Sequence, residues 1–208
     1  MRSARNLLPV LLLASFGVQA LADISNGDFS AGLSDWWFSG PVSGTGGYAT
    51  LAEDPEFGMT SLWQEFVIGG SDGWLSFDHR MAFGPDGTSG LAWPDAFTAS
   101  LLDPATGQPI LSTTPGLPDY FYRDIADNVY YDSSIVTIAG DMVTLDLRSV
   151  PRGTSAYLVF DLLGGDDGYA TTVEVDNVGI TAIPAPGAVV LGVIGLFTAG
   201  AYLRRRLV

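Results

Sequence analysis

The chain of 208 residues carries 23 acidic side chains against nine arginines, one histidine, no lysine and no cysteine, a formal net charge of −14 at neutral pH. The lack of cysteine excludes thiol catalysis, thiolate metal sites and disulfide staples. The acidic surplus repels phosphate backbones and anionic lipid, which excludes nucleic acid as a partner.

At the N-terminus, Arg2 and Arg5 precede an apolar run from Leu7 to Val18, and Ala20-Leu21-Ala22 follows it. A basic start, a short apolar stretch and a small-x-small triplet are the three parts of a cleavable export signal, so residues 1–22 are predicted to be a signal peptide cut after Ala22. The run is too short to cross a bilayer comfortably. Arg2 and Arg5 are not adjacent, which points to the general secretory route rather than a twin-arginine one.

Residues 23–182 are one domain's worth of chain. All 23 acidic residues lie there against four arginines (Arg80, Arg123, Arg148 and Arg152), a formal −19 that leaves divalent cations, basic partners and neutral glycans as compatible ligands. Short β-rich runs separated by turn clusters, with no 3.6-residue stripe, predict an all-β, jelly-roll-like antiparallel sandwich. The expected strands are Trp36–Ser39, Tyr48–Ala52, Ser61–Ile68, Trp74–Phe83, Ala96–Leu102, Ser134–Ala139, Met142–Arg148, Ala156–Leu163 and Thr171–Thr181. Gly69 to Gly73, Asp103 to Gly107 and Ala139-Gly140-Asp141 are the turns between them, the last a tight hairpin. No internal repeat is present, which disfavours a propeller or solenoid.

Alternation fixes the inward faces. Leu75, Phe77, Met81 and Phe83 alternate with Ser76, Asp78, Arg80 and Ala82, and Val143, Leu145 and Leu147 alternate with Thr144, Asp146 and Arg148. In the last strand the phase slips between Val175 and Val178. Either an extra residue near Asp176-Asn177 makes a bulge, or one strand ends at Asp176 and another begins.

Few residues advertise chemistry. His79 is the sole histidine, and its phase puts it on the core face between Phe77 and Met81, which suits packing rather than catalysis. The carboxylate pairs Asp54/Glu56, Asp124/Asp127 and Asp166/Asp167 arise readily by chance among 23 acidic residues, and no feature marks one as a general acid. A non-enzymatic protein is therefore expected. Gly164-Gly165-Asp166-Asp167-Gly168 reads either as an acidic hairpin turn or as a set of hard oxygen ligands for calcium. Thr114 to Ser133 lacks clear periodicity and carries Tyr120, Phe121, Tyr122, Tyr130 and Tyr131 among carboxylates. Read as a loop, it either caps the sandwich or holds a sugar by ring stacking, with Tyr120, Tyr122 and Tyr130 as the ligand-binding candidates.

The C-terminal stretch, residues 183–208, places Pro184-Ala185-Pro186 before a nearly unbroken apolar run, Gly187 to Leu203, and then Arg204-Arg205-Arg206. The run is about the shortest that spans a bilayer as a helix. Three arginines after it would hold the end on the cytoplasmic side.

The order of proline motif, span and arginine cluster resembles the PEP-CTERM sorting signal read by exosortases. That family usually has glutamate where Ala185 stands. The resemblance implies a Gram-negative, exopolysaccharide-making host, an inner-membrane intermediate, an exosortase-type processing partner, and delivery of the cut protein to the outer envelope or extracellular matrix. A second resemblance concerns the domain. Asn26-Gly27-Asp28-Phe29, followed by Gly32 and Trp36, resembles the opening of galactose-binding-like jelly rolls and carbohydrate-binding modules, and Val175-Asp176-Asn177-Val178-Gly179-Ile180 resembles their closing strand. It implies that the two ends lie side by side and share a structural calcium, with Asp28 and Asp176 as metal ligands. Together these give an exported protein that binds glycan or works within an exopolysaccharide layer. The alternatives are a purely structural biofilm protein and, more remotely, a carbohydrate hydrolase.

Overall fold

A computed structural model describes residues 24–70, 72–82, 95–111, 119–164 and 170–182. The expected signal peptide, the Asp166/Asp167 turn and the whole sorting tail with Pro184, Ala185, Pro186, Arg204, Arg205 and Arg206 lie outside them. No helix among the described residues is long and apolar enough to cross a membrane.

Among the described residues, twelve strands form two six-stranded sheets. They are β1 (Trp37–Ser39), β2 (Val42–Gly44), β3 (Ala49–Ala52), β4 (Met59–Val67), β5 (Asp72–Ala82), β6 (Ala96–Leu102), β7 (Asp119–Asp124), β8 (Val129–Tyr131), β9 (Val136–Ala139), β10 (Met142–Asp146), β11 (Ser155–Leu163) and β12 (Thr172–Ala182). The first sheet runs β1-β4-β11-β6-β7-β8 and the second β2-β3-β12-β5-β10-β9. Every pairing is antiparallel. All nine expected strands are present, each end within two residues of its expected place.

Three strands were not expected, and two of them correct the reading of Thr114–Ser133 as a loop. β7 and β8 form a hairpin closed around Asp127, whose φ is 61°. The alternation fails here because Tyr120 is an extra residue: Phe121 pairs with Ala99 and Asp119 with Ser100, so β7 bulges against β6. Both Tyr120 and Phe121 then turn inward. The phase slip in β12 is a bulge as well, not a strand end. Asp176 pairs with Asp78 and Gly179 with Ser76, leaving one surplus residue on β12, and Asn177 takes up the strain at φ 52°. The β9–β10 turn is the expected two-residue hairpin, with Gly140 at φ 63°.

The core lies between the sheets and is aromatic at its centre. Phe77 on β5 meets Phe160, Phe121 and Phe97 of the opposite sheet at ring-centroid distances of 4.9, 6.1 and 6.3 Å. Phe29 and Trp36 close one end, Trp36 packing on Phe160. Asn26 holds their loop in shape: its Nδ2 donates to the carbonyls of Gly32 and Ser34, and its Oδ1 accepts from Ala31 N. Gln64 ties the loop to β4 through Ser25 and Asp35. As the resemblance implied, this opening motif lies against the closing strand, with Val178 N donating to Gly27 O at 2.9 Å.

His79 is buried at 1% exposure among the rings of Phe77, Phe97 and Phe121. Arg123 can only donate, so Nε2 at 3.3 Å is its acceptor and Nδ1–H donates to Asp141 O at 2.7 Å. Burial above all pushes the imidazole below its ordinary range; the hydrogen bond to the Asp141 carbonyl opposes it, the Arg123 charge adds to it, and the Asp141 and Asp78 charges pull slightly the other way. A folded pKa below the unfolded value of about 6.5 means stability that is present above that pH and lost as the pH falls through it. Urea denaturation should therefore show a drop in stability from pH 7.5 to pH 5 that His79→Gln flattens. Comparing the two proteins cancels the opposing contribution of Asp119 and Asp161, whose carboxyls burial raises. Equal slopes for the two would show that His79 titrates alike folded and unfolded.

Candidate functional site

Register carries one set of side chains across the outer face of the first sheet. Ser39 pairs with Ser61, Ser61 with Asp161, Asp161 with Thr98, Thr98 with Tyr122 and Tyr122 with Tyr130. The neighbouring row runs Trp37, Trp63, Val159, Ser100 and Asp119. Parity sends all of these away from the core, since Leu62, Phe160, Ala99 and Phe121 on the same strands are buried inward. Aromatics therefore stand at both ends. Trp37 is 53% exposed beside the half-buried Trp63, and Tyr130 is 50% exposed, its ring 5.5 Å from that of Tyr122.

Between the aromatic ends the side chains are polar, and Ser61, Thr98, Ser100 and Asp119 among them are buried. Ser61 Oγ donates to Asp161 Oδ1 at 2.5 Å, and Ser100 Oγ donates to Asp119 Oδ1 at 2.6 Å. Burial raises both carboxyls, opposed by these hydroxyls, and at Asp161 the like charge of Asp119 adds to the rise. Burial likewise raises the Tyr122 phenol, with Asp124, Tyr130 and Asp119 adding to it. Six strands about 4.8 Å apart make the row roughly 24 Å long. The exposed rings at the two ends suit the flat faces of an elongated, neutral, hydroxyl-rich ligand, while the polar groups between them are engaged with one another.

Of the three tyrosines expected at a ligand site, Tyr122 and Tyr130 come together on this face. Tyr120 does not: the β7 bulge turns it wholly into the core, where its Oη has no hydrogen-bond partner among the described residues. The alternation on β4 could have singled out Trp63, in opposite phase to Leu62 and Phe66. Asp119 and Asp161 belong to the site only through pairing, and they bear on it more than the carboxylate pairs named from the sequence. Asp54 caps the turn at Glu56 and Phe57, Asp124 holds the Asn128 amides, and Asp127 pairs with Arg123 at 2.7 Å.

A concavity of about 380 Å³ lies on the outer face of the other sheet. Trp74, Thr144, Asp146 and Thr137 reach it from paired strands β5, β10 and β9, joined by Ser134 and Arg148. The Arg148 guanidinium lies 5.5 Å from the Trp74 ring centre, and its Nε donates to both Asp146 oxygens at 2.9 Å. That charge-assisted pairing keeps the Asp146 carboxyl low.

Asp28 and Asp176 flank the seam between the opening motif and the closing strand. Asp28 Oδ1 accepts from Ser30 N and Oγ, which lowers its pKa, and Asp176 Oδ1 accepts from Asn177 N at 2.6 Å. Among the described residues no group of three or more His, Asp or Glu side chains gathers. A cation at the seam would need carbonyl oxygens besides these two side chains.

No protein-family model matches the chain, and no curated protein matches it. Among solved structures, the chain is similar to one titled "CBM4 structure and function", at 18% identity and a TM-score of 0.37, over 71% of this chain and 94% of that one.

Proposed function

We propose that this protein is a non-catalytic glycan-binding sandwich that works in an exopolysaccharide layer. The observation that carries the reading is the row across the first sheet, with Trp37 and Trp63 at one end, Tyr122 and Tyr130 at the other, and the Ser61–Asp161 and Ser100–Asp119 pairs between. A surface with a formal −19 over residues 23–182 favours neutral polysaccharide over anionic. Delivery belongs to the same reading. The export signal, the Pro-Ala-Pro motif, the short span and the arginine cluster support sorting by an exosortase-type enzyme, with a calcium ion at the Gly27–Val178 seam as a structural accessory.

The test is affinity electrophoresis of the full-length chain, in mild detergent, through gels containing hydroxyethylcellulose, mixed-linkage β-glucan, xylan or galactomannan. At least one gel should retard the protein. Each lost ring should weaken binding by roughly 1 kcal/mol, so Trp63→Ala with Tyr122→Ala should weaken it about tenfold or more. Tyr120→Phe should bind like wild type. Retardation in no gel would favour a structural protein without a ligand site, and release of reducing ends would make Asp119 and Asp161 a hydrolytic pair instead.

A further inference from the structure

The groove on the second sheet is built from residues that the first-sheet site does not use, and it opens on the opposite side of the sandwich. Trp74 and Thr144 point outward because Leu75, Phe77, Val143 and Leu145 on the same strands fill the core. We propose that this groove is a second site for a neutral sugar, so that one molecule holds two glycan chains and cross-links them. The inference rests on the glycan-binding reading of the first sheet.

The chemistry of the groove selects its occupant. Trp74 lines the groove with an aromatic ring that can meet the C–H face of a sugar, and the Arg148 guanidinium lies over that ring, 5.5 Å from its centre. Ser134, Thr137 and Thr144 supply hydroxyls that both donate and accept, and Asp146 accepts. Arg148 and Asp146 cancel in charge, so the groove itself attracts neither sign. Farther along the same face, Asp78, Glu174 and Asp176 stand on the outward side of β5 and β12, and they disfavour an anionic sugar. A volume of about 380 Å³ is within the range of small-molecule sites and suits a short stretch of chain. The ligand of the groove is therefore a short segment or chain end.

The experiment uses four full-length proteins: wild type, Trp63→Ala with Tyr122→Ala, Trp74→Ala, and all three substitutions together. Each is run through the four polysaccharide gels named above, and each is mixed with the same polysaccharides in solution while light scattering is followed. Wild type should be retarded and should raise the scattering as chains are joined. Trp74→Ala should be retarded several-fold less, Trp63→Ala with Tyr122→Ala about tenfold less, both should lose the scattering rise, and the triple variant should migrate freely. Thr144→Arg, which fills the groove without removing Trp74, should behave as Trp74→Ala does and serves if that variant fails to fold. If Trp74→Ala and Thr144→Arg are retarded and raise scattering as wild type does, the groove is idle and the second site is wrong while the first-sheet reading stands. If wild type passes every gel unretarded, both fall together.

Discussion

Phe77→Ala is expected to lower the free energy of unfolding by about 3–5 kcal/mol, the range found when a buried aromatic is cut to a methyl group. Phe77 is 1% exposed and is the point where β5 of one sheet meets three phenylalanines of the other, the nearest, Phe160, at 4.9 Å. Its removal costs the transfer of the ring and leaves a cavity walled by Phe97, Phe121 and Phe160. These are held by strands of a hydrogen-bonded sheet, so they cannot close inward far enough to refill it. A domain of this size has only about 5–15 kcal/mol in hand, so the variant should melt on the order of 10 °C lower. Urea denaturation of wild type and variant checks the figure. A loss below about 1 kcal/mol would mean that the sheets do not pack through this ring. Glycan retention should fall only in step with unfolding, which separates this change from substitutions on the outer faces.

Gly27→Ala is expected to cost about 3 kcal/mol, the upper part of the range for overpacking. A Cβ on Gly27 would sit 1.8 Å from Val178 O and 2.8 Å from its carbonyl carbon. Both are backbone atoms of β12, so no rotamer change relieves the clash and the loop must lift from the strand. Lifting it breaks the Val178 N to Gly27 O hydrogen bond and loosens the plug formed by Phe29 and Trp36 over Phe160. Gly179→Ala is the control. It lies on the same strand with open space around its Cβ position, and it should leave the denaturation midpoint nearly unchanged. Should Gly27→Ala be as mild as Gly179→Ala, the close approach of opening motif and closing strand would be refuted.

Much of the sandwich was legible because a strand has a period of two and a core accepts only apolar groups. That rule placed His79 inward and marked a break at Asp176-Asn177 from the slip of Val175 against Val178, which pairing then resolved as a bulge rather than a strand end. It failed at β7, where the bulge at Tyr120 sends two successive residues into the core and hides a strand as a loop. The error was one of phase, not of composition. Tyr122 and Tyr130, named as ligand-binding candidates, share the outer face, and Tyr120 was named with them because nothing local distinguishes its direction.

The sequence by itself determined the β class, the inward sides of β5 and β10, the acidic surplus and the aromatic richness near residues 120–131. These follow from nearest neighbours along the chain. Only the tertiary structure decided what shares a face with what. Ser61 and Asp161 are 100 residues apart and hydrogen-bonded, and Trp63 joins Val159, Ser100 and Asp119 only because β11 pairs with both β4 and β6. The groove of Trp74 exists because β10 pairs with β5 along one edge and with β9 along the other. Strand order and register are set by closing loops and burying both inner faces at once, a property of the whole chain that no local pattern encodes.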